Sequence, residues 1–168
     1  MNSTKLKTLV FSAIYTALIF IFTFFFHITF PLVGGYIHLG DSMIFLAASS
    51  LSSPLAMAAA AIGAGLSDLS LGFVVYIIPT VIVKSLCAFC FTNKNDKFLC
   101  KRNIIAAFIC IVITLLGYGI AEWIITGVFT AAIATFAGNA VQAISNAVFY
   151  IVIAYMLDAA NFKTRFKF

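Results

Sequence analysis

Apolar positions along the chain fall into long blocks separated by short polar or Gly/Pro breaks, and the blocks are too long and continuous for strands. From Thr8 to Phe30 most residues are apolar and none is Asp, Glu, Lys or Arg, and Pro31 with Gly34 and Gly35 marks a loop. A second segment over 40–52 runs into Pro54, a favoured first-turn residue for a third helix over 54–71. A fourth covers 73–91. Thr92 to Asn103 is the one strongly polar interior stretch; a fifth helix follows over 104–126, Gly127 breaks it, and a sixth over 129–160 ends in a basic tail. A membrane-crossing helix takes about 20 residues. The pattern therefore predicts an all-α integral membrane protein with six transmembrane helices in a single domain, 1–168, without a repeat or linker.

Composition strengthens this reading. Of 168 residues, 64% are hydrophobic and 9% charged, with mean hydropathy +1.15, whereas a soluble domain is about a quarter charged. A water-soluble enzyme is excluded. The formal charge of +5 does not point to nucleic acid. Apart from Lys84, the basic residues sit in three polar stretches, at Lys5 and Lys7, from Lys94 to Arg102, and from Lys163 to Lys167. Six alternating spans put these stretches and the Ser52/Ser53 turn on one side, which the positive-inside rule makes cytoplasmic. Both termini are then cytoplasmic, in a cell membrane. The first apolar stretch exceeds a signal-peptide core and lacks a cleavage site, so it is expected to be retained.

Polar residues inside hydrocarbon are costly and face a bundle interior or cavity. Here they form stripes. Tyr76, Thr80 and Lys84 lie on one face of the fourth helix, Thr114, Tyr118 and Glu122 on one face of the fifth, and Thr135, Asn139, Gln142, Asn146 and Tyr150 on one face of the sixth. By helical rise, Asn139 and Gln142 lie roughly 6 and 10 Å deeper than Thr135. The stripes are expected to converge on an outward-facing pocket for a small, flat, heteroatom-rich ligand. Amides offer donors and acceptors, Glu122 accepts, and Tyr118, Trp123 and Tyr76 stack. The plainer alternative is that the amides only join helices. Asp68 and His38 are also counted among candidate ligand contacts, with end-capping or solvation as the alternative for Asp68 and Asp41, and solvation for His27 and His38. Lys84 is expected either to snorkel or to pair with the pocket or Asp68.

Small residues recur at four-residue spacing in the third segment, Ala59, Gly63 and Ser67 beside Ala60 and Ala64, a pattern that lets backbones approach closely in lipid. Cys87 and Cys90 form C-x-x-C without accompanying His, so they read as small buried hydrophobes rather than a zinc or redox site. No catalytic motif, phosphate loop or metal-ligand spacing emerges. No enzymatic activity, cofactor or metal is expected.

The stretches Gly35-Tyr-Ile-His-Leu-Gly-Asp-Ser-Met-Ile-Phe-Leu-Ala-Ala, Ala61-Ile-Gly-Ala-Gly-Leu-Ser-Asp68-Leu and Gly72-Phe-Val-Val-Tyr-Ile-Ile-Pro-Thr80-Val-Ile-Val-Lys84 resemble the substrate-binding S components of energy-coupling factor vitamin transporters. Ala121-Glu-Trp, Gly138-Asn-Ala-Val-Gln142 and Ala13-Ile-Tyr-Thr-Ala17 add to the set, which looks closest to the hydroxymethylpyrimidine, pyridoxine and riboflavin branch. The resemblance covers nearly the whole chain. It implies a six-helix protein that captures a vitamin from outside beneath a lid formed by the first outer loop. Delivery inward then involves a transmembrane coupling subunit and two ATPases. It also implies Glu122, Asn139 and Gln142 as ligand contacts, and Ala13 and Ala17 as a face that docks on the coupling subunit, against ordinary intramolecular packing. Where the family often has Pro before Gly-Asn, this chain has Ala137. A pyrimidine or pyridine alcohol is the expected ligand, with riboflavin next. A membrane scaffold or regulator, and a stand-alone small-molecule transporter, are the alternative functions.

Overall fold

In the computed structural model, residues 3–30 and 35–166 are described, and they are overwhelmingly helical. Helix α1 spans Ser3–Phe24, strands β1 and β2 His27–Phe30 and Gly35–His38, α2 Gly40–Ser50, α3 Ser53–Leu71, α4 Ile77–Cys90, α5 Lys101–Thr126, α6 Phe129–Ala159 and the short α7 Phe162–Arg165. A single 3-10 turn, Val74–Tyr76, leads into α4. Helix ends follow local chemistry. Pro54 stands in the first turn of α3, and Gly72 and Gly127 close α3 and α5 at positive φ, 83° and 70°, where a side chain would strain the backbone.

Four helices among the described residues are long and apolar enough to cross a membrane: Lys5–Phe24, Ser53–Leu71, Lys101–Thr126 and Phe129–Ala159. Val74–Cys90 is a shorter apolar helix, and α2, at 11 residues, is only about 16 Å long by helical rise. Every residue of α2 is buried. It runs along the centre of the bundle, packed on α1, α3, α4 and α6.

The expected first helix, 8–30, is shorter at its end. The chain leaves α1 at Phe24, with the His27 imidazole hydrogen-bonded to the Phe24 carbonyl, and then pairs in antiparallel register, His27 against His38 and Ile28 against Ile37. An all-helical reading misses this hairpin because the chain stays apolar across the change from helical to extended backbone. The predicted turn residues Pro31 and Gly34 lie outside the described residues.

The small-residue stripe of α3 is buried and faces α1. A Cβ on Gly63 would stand 2.8 Å from the Thr16 carbonyl oxygen, so only glycine permits this approach. The chain ends gather opposite the hairpin. Asp158 accepts hydrogen bonds from the Phe98 and Leu99 amides, Lys163 donates to the Asn95 carbonyl, and Phe11 meets Phe166. Buried Asn103 ties the 91–100 loop down, accepting from the Thr92 amide and donating to the Phe98 carbonyl. Most of the basic residues therefore lie at one end of the bundle.

Candidate functional site

At the hairpin end, β2, α3, α4, α5 and α6 surround a cavity of about 250 Å³. The three stripes converge there, but only through their outer members. Thr80 on α4, Tyr118 and Glu122 on α5, and Thr135, Asn139 and Gln142 on α6 line the wall, together with Tyr76, Asp68 and His38. The hydroxyls of Tyr76 and Thr80 are already engaged: Tyr76 donates to Glu122 Oε2 at 2.6 Å, and Thr80 and Tyr118 share a hydrogen bond of 3.0 Å.

Two aromatic lining residues, Tyr36 and Phe73, carry no stripe signal in the sequence. Tyr36, on β2, donates its hydroxyl hydrogen to Asp68 Oδ1 and packs against Phe73 with ring centroids 4.9 Å apart. The hairpin is thus tied across the cavity mouth to α3. The period-2 alternation of Tyr36 and His38 was the available signal, since both lie on one face of a strand.

Three candidates are placed elsewhere. Asn146 is fully buried behind the cavity, where its Oδ1 accepts from the Ser42 amide and its Nδ2 donates to the carbonyls of His38 and Gln142. It joins α6 to the start of α2 and does not line the cavity. Trp123 is half exposed on the outer surface and meets Phe129 edge-on, because it follows Glu122 on α5 and so points about 100° away. Lys84 neither snorkels nor pairs with Asp68. Its Nζ lies 2.8 Å from Asp41 Oδ2, and both side chains are buried. Asp41, read as a capping or solvated residue, is instead the counter-charge, and Gln142 Nε2 reaches the same oxygen at 3.4 Å.

His38, in the hairpin, is likewise not solvated. It is buried, its Nδ1 accepts from the Gly40 amide at 3.1 Å, and burial lowers its pKa to about 4, against the opposing pull of Asp41. The imidazole is neutral and its Nε2 carries the hydrogen.

Ala13 and Ala17 are both exposed on α1. Cys87 and Cys110 are buried free thiols, with Cys110 Sγ directed at the Cys87 carbonyl. No group of three or more His, Cys, Asp or Glu that would hold a metal occurs among the described residues. Ala137 and Gly138 line the cavity within an uninterrupted α6, and a Cβ on Gly138 would meet nothing within 4 Å. The wall is thinned there by a missing side chain rather than by a proline kink.

The cavity is thus a mouth at one end of an apolar bundle, walled by aromatic rings and a few fixed polar groups, the form expected of a small-molecule binding site. No curated protein matches the chain. The family model described as "ECF-type riboflavin transporter, S component" matches residues 3–161, the helices, hairpin and cavity together, and the chain belongs to that family.

Proposed function

We propose that this S component captures a flat, nitrogen-containing vitamin at the hairpin end, from outside the cell, and hands it inward with a coupling subunit and two ATPases. The family is one of transporter S components rather than enzymes, and S components bind a small substrate and join an energy-coupling module. In this reading all six helices lie in the membrane, with both termini and the basic loop cytoplasmic. Glu122, Asn139, Gln142, Asp68, Thr80, Tyr76, Tyr118 and His38 contact the ligand, and the exposed Ala13 and Ala17 face the coupling subunit. The hairpin serves as the lid.

The observation that carries the reading is the convergence of polar groups from α3, α4, α5 and α6 on one cavity within a chain of this family. The family's description puts riboflavin first. Hydroxymethylpyrimidine and pyridoxine remain candidates from the residue pattern, since ring nitrogens and hydroxyls suit the same amides and carboxylates. The test is native mass spectrometry of the detergent-purified protein, with extraction and identification of any bound small molecule, followed by thermal-shift titration with these three vitamins. A stoichiometric vitamin identifies the substrate. A protein that is empty and unshifted by all three fits a membrane scaffold instead, and transport by the chain reconstituted alone fits a stand-alone transporter.

A further inference from the structure

The end of the bundle opposite the hairpin carries a further cavity, of about 270 Å³, between the turn joining α2 to α3, the end of α4 and the loop before α5. Lys94, in that loop, and Arg102, in the first turn of α5, line it, and no Asp or Glu does. Neither cation meets a carboxylate among the described residues, where the ion pair is Lys84 with Asp41. Arg102 Nε donates to the Cys90 carbonyl at 3.4 Å, which ties the guanidinium to the end of α4 and leaves its two terminal nitrogens unspent. The backbone that carries Lys94 is fixed as well. Buried Asn103 bonds both the amide and the carbonyl of Thr92, and the Thr92 hydroxyl oxygen accepts from the Lys94 amide at 3.3 Å.

The helix that begins here adds to the imbalance of charge. The first turn of α5 holds no acidic residue and carries Lys101 beside Arg102, although the helix dipole disfavours cations at that end. An anion held between Arg102 and Lys94 offsets this. Ser52 and Ser53, at the start of α3, also line the cavity, and the Ser52 hydroxyl makes no cap bond to its helix. Two cations and two hydroxyls are donors suited to phosphate oxygens.

The apolar side of the cavity separates a lipid phosphate from a free one. Phe89 both lines the cavity and is 59% exposed on the outer face of α4. Ile82 and Leu86, exposed too, continue that face toward the middle of the membrane at helical spacing. The cavity has room for a headgroup but not for acyl chains, and this strip of α4 lies where a chain leaves it.

We infer that this cavity holds the phosphodiester of an anionic phospholipid, drawn from the leaflet on the side of the basic loop. Lys94 and Arg102 meet the phosphate oxygens, and an acyl chain lies along Phe89, Leu86 and Ile82. A headgroup with its own ammonium sets a third cation against these two, so a lipid of net negative charge is preferred. The inference is independent of what the hairpin-end cavity binds.

The test is native mass spectrometry of the full chain, purified in detergent, stripped of lipid and titrated with phosphatidylglycerol, phosphatidylcholine or inorganic phosphate. One phosphatidylglycerol is expected to bind at least about tenfold more tightly than phosphatidylcholine. Lys94→Gln alone is expected to weaken it about fivefold, and Lys94→Gln with Arg102→Gln to abolish the preference. Lys97→Gln with Lys101→Gln, which removes the same charge from residues outside the cavity, is expected to keep it. Equal binding of the two lipids, or an equal loss in the two double variants, overturns the inference. Displacement of phosphatidylglycerol by millimolar inorganic phosphate overturns the lipid assignment in favour of a free anion.

Discussion

Lys84 Nζ stands 2.8 Å from Asp41 Oδ2, inside the bundle, with the Tyr118 ring 5.0 Å from the ammonium. The pair joins α4 to α2 directly behind the cavity wall. Removing one partner leaves a buried charge unmatched, which costs about 3–5 kcal/mol. Lys84→Met is expected to lower the Tm in detergent sharply, and Lys84→Met combined with Asp41→Leu to restore most of the loss. A double variant no more stable than the single one is evidence against the pairing.

Asn146 and Trp123 look equally plausible as ligand contacts in the sequence, yet their environments predict opposite outcomes. Asn146→Ala leaves the buried Ser42 amide and His38 carbonyl without their partner, at about 1–3 kcal/mol for each group. Both Tm and ligand affinity are expected to fall as the hairpin's attachment to α2 loosens. Trp123→Phe keeps the exposed aromatic contact with Phe129 and is expected to change neither. Thermal melts with and without ligand distinguish them.

Gly138 faces open cavity, and its Cβ position is unobstructed. Gly138→Leu is therefore expected to fill ligand space without straining the helix, and to remove the entropic cost of glycine in α6. Affinity is expected to drop by about tenfold or more while the Tm of the ligand-free protein holds or rises. A loss of Tm in that variant contradicts the open wall.

His38 supplies a pH dependence with a definite sign. Its pKa is about 4 in the folded protein, held down by burial, against an ordinary value of 6.5. When the hairpin opens, the ring takes up a proton throughout the interval between those values. The stabilisation is thus complete above about pH 6.5 and is lost as pH falls toward 4. The groups facing His38 are Asp41, Lys84 and His27. Hydrogen exchange at the β1–β2 amides is expected to quicken from pH 7 to pH 4.5 beyond its intrinsic change. His38→Asn, which retains a side-chain acceptor for the Gly40 amide, is expected to flatten this response.

Ala13 and Ala17 leave an exposed strip of small side chains on α1. Ala13→Trp and Ala17→Trp are therefore expected to leave folding and vitamin binding intact while preventing co-purification with the coupling subunit. Normal assembly of both variants places the docking face elsewhere.

Helix positions are legible in this sequence because lipid-facing segments must be apolar along their whole length, and polar breaks are then unmistakable. The same uniformity hides the hairpin: Ile28 is as apolar as Ile21, and hydropathy does not register that one is extended and the other helical. Stripe periodicity identifies Glu122, Asn139 and Gln142 as cavity-lining, but a stripe runs the length of a helix and a cavity does not. Asn146 and Tyr150 continue the α6 face below the cavity, where they hold His38 and Phe98 instead. Partner choice is the least legible feature. Nothing local to Lys84 distinguishes Asp41 from Asp68, and only the central position of α2 brings Asp41 within reach.

That central helix has a mechanical consequence. Since all of α2 is buried, none of its surface touches acyl chains, and a thicker or thinner bilayer acts on it only through its neighbours. Mismatch is taken up by tilt of the outer helices, whereas Asp41 and Ser42 hold Lys84, Gln142 and Asn146 from within. The geometry of the cavity is thereby insulated from membrane thickness, so the lipid around the outer helices can deform without deforming the cavity wall.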